Sequence, residues 1–365
     1  MRQYSRFHIF TFLASTVLFC TNCGDKNKKE NAATASKMKA EVIKPNDVIP
    51  FFQHWNLILG DGSNAGPAMD YVHKDFFYTT NDSKSDWVVF KTPNGGDTHG
   101  TSNNTRTELA QLKKWYPKTA NDKLSATLKV MNVSATGDAR VASTHSVVVG
   151  QIHSADGHEN EPLKIFYKKF PGHEKGSVFW HYEINTKGGD NSGRWDYSSA
   201  VWGHDFSVVG AEANSYPDEP EDGIALGEEF SYQIEVTDGM MNLTFASEGH
   251  DTKTFIKNLV KSEYTTSGDM PEQTRKLFAP IGQDGVERAT AYASEGLFFK
   301  LGCYNQTNGK SPEENQNWCS GAETHGGDIQ KQYADGNYAE VWFKTASIII
   351  SNDAVSNEGY FIKND

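Results

Sequence analysis

Short runs of alternating apolar and polar residues recur along this chain, closed off every few positions by Gly, Asn, Asp or Pro. That pattern limits it to sheet structure, because a period of two puts one face of each run inside and leaves the other outside. Strands are expected near 51–52, 87–90, 124–133, 141–153, 163–170, 178–184, 230–236, 240–245, 297–304 and 338–350. Asp238-Gly239 joins two of these runs as a hairpin turn would. Helical periodicity is scarce, and only 251–262, with Phe255, Leu259 and nearby lysines, predicts a short helix. So many strands at turn-punctuated spacing predict an all-β sandwich or jelly roll of two antiparallel sheets. No linker or internal repeat divides 46–365, which is expected to form one domain.

The start of the chain is different. Arg2 and Arg6 precede a mostly apolar run, 7–20, too short to span a bilayer. It has the form of a secretory signal, 1–22, with Cys23 placed as the lipidated first residue of an exported lipoprotein. Cys20 and Asn22 depart from the usual lipobox, and plain secretion is the alternative; export is expected either way, with outer-membrane anchoring through the lipid alone. Residues 23–45, rich in Lys, Glu, Asn and Ala, read as a flexible tether. Cys303 and Cys319 then remain in an oxidising compartment and form a candidate disulfide.

The charge is −12, from 35 basic against 47 acidic residues, which argues against nucleic acid as a partner. A locally positive cleft stays compatible with that balance, since distant charges are screened. The sequence has no phosphate loop, nucleophile elbow or His-Glu-x-x-His helix. The run His158-Glu159-Asn160-Glu161 lacks metal-ligand spacing, and Glu219 and Glu221, in an acidic loop, have no strand framework for glycosidase chemistry.

Three stretches stand out because polar groups alternate on strands whose other face is apolar. Arg106-Thr107-Glu108-Leu109 places Arg106 and Glu108 together, and Gln151-Ile152-His153 places Gln151 and His153 together. In 298–306, Lys300, Gly302, Tyr304 and Gln306 share a face opposite Phe299, Leu301 and Cys303. A bare glycine there is expected to leave room for a ligand.

Taken in order, these stretches resemble the three signature motifs of the alginate lyases of polysaccharide lyase family 7. The resemblance covers most of the chain after the tether and implies a concanavalin-like jelly roll whose concave sheet holds an anionic polysaccharide. It implies catalytic roles for Arg106, Gln151, His153 and Tyr304, and substrate-binding roles for Glu108, Lys300 and Gln306. Two positions depart from the family pattern: Ala110 where a second Arg is common, and Phe298 where Tyr is common. These put subsites, more than the reaction, in question.

The implied reaction is β-elimination at C5 and C4 of a uronate, with no cofactor and no catalytic metal; a structural calcium is left open. Charge building on the carboxylate must be held by fixed donors such as Arg106, Gln151 and His153. Tyrosine hydroxyls ordinarily titrate too high to serve as bases at neutral pH, but nearby cations favour the phenolate. Gln-Ile-His leans toward guluronate-containing blocks. A monomer is expected. The alternatives are a lyase for another uronate polymer such as glucuronan, and a non-catalytic polysaccharide-binding lipoprotein. Endo or exo cleavage is expected to depend on how loops near 190–225 and 307–335 close the cleft.

Overall fold

The computed structural model describes residues 43–100, 102–155, 161–184, 195–274, 276–277 and 289–364. The signal, most of the tether, Cys20, Cys23, His158, Glu159 and Asn160 lie outside the described residues.

Two antiparallel sheets stack face to face. The first runs in the order Lys276–Leu277, Trp195–Trp202, Lys175–Ile184, Leu163–Lys168, Ser146–Ser154, Leu297–Asn305, Arg106–Gln111, Trp55–Ile58 and Asn64–Pro67. The second runs Lys253–Asn258, Met240–Ser247, Phe230–Thr237, Asn121–Asn132, Tyr338–Ile349, Asp86–Pro93 and Phe77–Asn81. Alternation decides what each contributes. In Phe230–Thr237 every second residue is buried, so Phe230, Tyr232, Ile234 and Val236 enter the core. They meet Leu109, Val149, Ile152, Phe299 and Leu301 of the first sheet in one continuous cluster. The jelly-roll architecture read from the sequence is what forms.

Asp238 and Gly239 both have positive φ, 49° and 83°, and make the expected hairpin turn. The helix expected over 251–262 does not form. Lys253–Asn258 is a strand paired with Met240–Ser247, with Phe255 and Lys257 inward and Ile256 outward. Pairing with an available edge outweighed a weak helical pattern.

The candidate disulfide is also absent: Cys303 and Cys319 are free and buried. Cys303 points between the sheets with the main core, whereas Cys319 follows Trp318, which packs against a separate aromatic cluster.

Gly302 answers to a different need from the one its sequence position suggested. Its φ is +150°, and a Cβ there would lie 2.6 Å from the Thr107 carbonyl oxygen and 2.8 Å from Glu108 Cα. The register shifts between Leu301 and Tyr304 against Ser146–Ser154, so the glycine serves a bulge, not a bound ligand.

Lys168 is fully enclosed on the site-bearing sheet, and its Nζ donates to the carbonyls of Ala142 at 2.8 Å and Val208 at 3.1 Å. It thereby ties the loop 203–222 to the sheet. Burial pushes its pKa down to about 7.

Two outcomes test this framework. Gly302→Ala should destabilise the protein by ~2 kcal/mol or more in a denaturant melt, while Gly359→Ala, where a Cβ meets nothing within 4 Å, should not. Between about pH 7 and the ordinary lysine range near 10.4, the unfolded chain keeps the Lys168 proton that the folded chain releases. The cost of the buried charge is full below that window and lifts across it, so Lys168→Met should reduce the rise of the urea midpoint between pH 7 and 10.

Candidate active site

Leu297–Asn305 is flanked by Arg106–Gln111 on one side and Ser146–Ser154 on the other, so the three polar stretches lie side by side. Register sets the neighbours: Tyr304 faces Arg106 and Gly302 faces Glu108, while Lys300 lies between Ala110 and Gln151. Phe298 faces His153.

Glu108, almost wholly buried, is the point on which these groups converge. Its Oε2 lies 3.4 Å from Arg106 Nη1 and 3.3 Å from Lys300 Nζ, and its Oε1 accepts from Gln151 Nε2. A carboxylate only accepts, so the amide of Gln151 must turn its NH₂ this way. Two cations against one carboxylate leave this part of the site net positive, the locally basic patch that an acidic chain can still hold.

The Arg106 guanidinium stacks 3.8 Å over the Tyr304 ring. Ser102 joins the two: its Oγ accepts from Arg106 Nη2 at 2.9 Å and lies 3.1 Å from the Tyr304 hydroxyl. Burial opposes the charge on Arg106, but Tyr304 and then Glu108 outweigh it and hold the pKa above the ordinary arginine value.

His153 is oriented by its neighbour's backbone. Nδ1 lies 2.7 Å from the Ser154 carbonyl, which can only accept, so the proton sits on Nδ1 and the lone pair on Nε2. Burial, followed by the Lys300 charge, holds its pKa well below the ordinary histidine value, and the ring is a neutral base. Its Nε2 is 3.7 Å from Glu161 Oε1. Burial pushes Glu161 up to about 8, with Lys164, 3.1 Å away, acting in the opposite direction.

Gln306 sits at the strand's end, its amide donating to the Tyr304 carbonyl at 3.4 Å. The structure thus brings Arg106, Glu108, Gln151, His153, Lys300 and Tyr304 into one cluster and gives Gln306 a contact to the strand itself. Glu219 lies elsewhere, accepting from the backbone N–H of Glu174 at 2.7 Å.

On the side of Trp195–Trp202 the sheet face is covered. Phe166 and Phe179, paired across adjacent strands, stack at 4.9 Å; Phe206 from the loop 203–222 lies over them, and Trp318 packs 5.0 Å from Phe206. Beside this roof, His181, Glu183 and Asp196 bring ligand-type atoms within 4.8 Å of one another. Lys164 Nζ, 3.2 Å from Glu183, already supplies a cation there, and the group reads as an ion-pair network.

The motifs pointed to the strand residues but not to Ser102, Glu161, Lys164 or Tyr360. Ser102 lies in a turn-rich stretch, and Glu161 in a polar run without ligand spacing. Tyr360, 5.5 Å from the His153 ring, comes from the far C-terminus and left no sequence signal.

The chain as a whole is similar to known proteins. The profile of the family described as alginate lyase matches residues 49–349. A curated alginate lyase from Klebsiella pneumoniae is 28% identical over 280 residues, 68% of this chain and 76% of that protein. The crystal structure of an exolytic family 7 alginate lyase from Zobellia galactanivorans is 62% identical, covers 85% of this chain and 98% of its own, and superposes with a TM-score of 0.79. The K. pneumoniae alginate lyase structure shares the fold at a TM-score of 0.57 and 22% identity, covering 85% of this chain and 99% of its own. By the match over most of its length and the motif residues its central strands bring together, this chain belongs to the alginate lyases of polysaccharide lyase family 7.

Proposed function

We propose that this lyase cleaves the 1,4-linkages of alginate by β-elimination, working inward from chain ends and favouring guluronate-containing blocks. The observation that carries the reaction is the pairing of a neutral base, His153 Nε2, with a tyrosine hydroxyl stacked under a guanidinium.

The proton on C5 is weakly acidic while the adjacent carboxylate keeps its charge. Arg106 and the second amide hydrogen of Gln151 hold that carboxylate and take up the charge that develops when the proton leaves. Glu108 anchors both donors, and Lys300 adds a further cation. At a guluronate, His153 Nε2 takes the C5 proton, the electron pair forms the C4=C5 bond, and the C4–O bond breaks. Tyr304 gives its proton to the departing oxygen and must later regain one. At a mannuronate, whose C5 proton is on the opposite face, Tyr304 serves as base and acid in turn. Gln306 supports the strand end that carries Tyr304.

Chain-end cleavage is supported by the covered half of the sheet and by the exolytic relative at 62% identity. Phe206 and Trp318 belong to the aromatic cluster against which Tyr304 also packs, which supports a cleft that ends beside Tyr304. Export through the N-terminal signal, with Cys23 as lipid anchor, would place the enzyme where polymer is found.

The test is incubation of the chain with polyguluronate, polymannuronate and glucuronan, following ultraviolet absorbance of the new double bond, viscosity and early products. Absorbance should rise fastest on polyguluronate, with short unsaturated products appearing before viscosity falls, and Tyr304→Phe should lose at least ~10³-fold in rate. Retention on alginate without absorbance on any polymer would overturn the enzymatic reading; an immediate viscosity collapse would overturn the chain-end reading.

A second outcome concerns His153. The neutral ring is available only above its lowered pKa, so the acid limb of kcat/KM on polyguluronate should fall below pH 6.5, the ordinary histidine value. Lys300→Met removes the strongest cationic influence on the ring and should move that limb upward.

A further inference from the structure

The C-terminal segment returns to the active site. Val355–Ser356 pairs with Lys113–Lys114, and the backbone N–H of Asn357 donates to the Leu112 carbonyl at 2.9 Å, with its amide reaching Gln111 at 3.2 Å. The helix Glu358–Asn364 is thereby seated at the end of the strand that carries Arg106 and Glu108.

Its anchor explains both departures from the family motifs. Phe361 is buried in one apolar cluster with Ala110, Ala155 and Phe298. An arginine at 110 would put a charge in that cluster, and a tyrosine at 298 would put a hydroxyl there. The two changes, far apart in sequence, make one socket.

Above the socket stands Tyr360, partly exposed. Its ring centroid is 4.7 Å from Phe298 and 5.5 Å from His153, and Lys300 Nζ lies 5.7 Å from its centre. It therefore borders the cluster that holds the uronate, on the side of the base.

We propose that Tyr360 is a substrate-contacting residue: its ring stacks on a uronate pyranose beside His153, an aromatic wall in place of the charged contact that a second motif arginine would make. Sugars present C–H faces that pack on aromatic rings, and a tyrosine offers such a surface at low entropic cost. The contact discriminates by ring shape and not by carboxylate charge, which makes Tyr360 a specificity determinant at this edge of the site. The inference rests on the uronate-elimination reading.

The experiment compares Tyr360→Phe, Tyr360→Leu and Tyr360→Ala in the full chain. Leucine keeps apolar packing on Phe298 but removes the aromatic face. Tyr360→Phe should keep KM within about two-fold, while Tyr360→Leu and Tyr360→Ala should raise KM about ten-fold with kcat within three-fold. A KM restored by leucine, or unchanged in alanine, would overturn the proposal, as would a loss confined to kcat. Affinity for a guluronate trisaccharide, measured by calorimetry in Tyr304→Phe with and without Tyr360→Leu, separates the two readings. A ten-fold weakening there supports the wall even if the parent chain yields no unsaturated product; equal affinities overturn it even if elimination proceeds.

Discussion

A carboxylate buried between two cations and an amide is the constraint around which this molecule is arranged. Glu108 alone would be costly to bury, and Arg106 and Lys300 alone would repel each other at close range. Together they form a network in which each member fixes the others. The same contacts aim Arg106 over the Tyr304 ring and hold Gln151 in a single orientation. Donors fixed in advance need not reorganise as charge develops, which on the elimination reading is where most of their value would lie.

The network requires three strands distant in sequence to lie adjacent with the correct register. That is the work of the sandwich: Phe299, Leu301 and Cys303 bind the central strand from behind, leaving Lys300 and Tyr304 facing forward. A slip of one residue would turn the polar row into the core. The bulge at Gly302 adjusts the strand against Ser146–Ser154 without disturbing its register with Arg106–Gln111.

Much of this could be read from the sequence because alternation is a local property. The strand faces of 106–109, 151–153 and 298–306, and the turn at Asp238-Gly239, follow from spacing alone. Their assembly into one site needed the motif resemblance, since strand order is not local. What escaped were long-range facts. Cys303 and Cys319 are near in sequence but stay unbonded, and Lys253–Asn258 became a strand because Met240–Ser247 offered a partner. Glu161 is polar in sequence, yet burial places it beside His153. Tyr360 could not have been anticipated, because nothing in the local sequence ties the last helix to residue 110.

The roof of Phe206 and Trp318, held down through Lys168, has a kinetic consequence. An open groove meets every linkage of a polymer as substrate, so its rate follows total mass. A site closed on one side meets only termini, and on the chain-end reading its rate follows the number of molecules, whatever their length. Each cut by an enzyme acting within the polymer creates a new terminus, so such a partner would raise this lyase's flux without changing any of its constants.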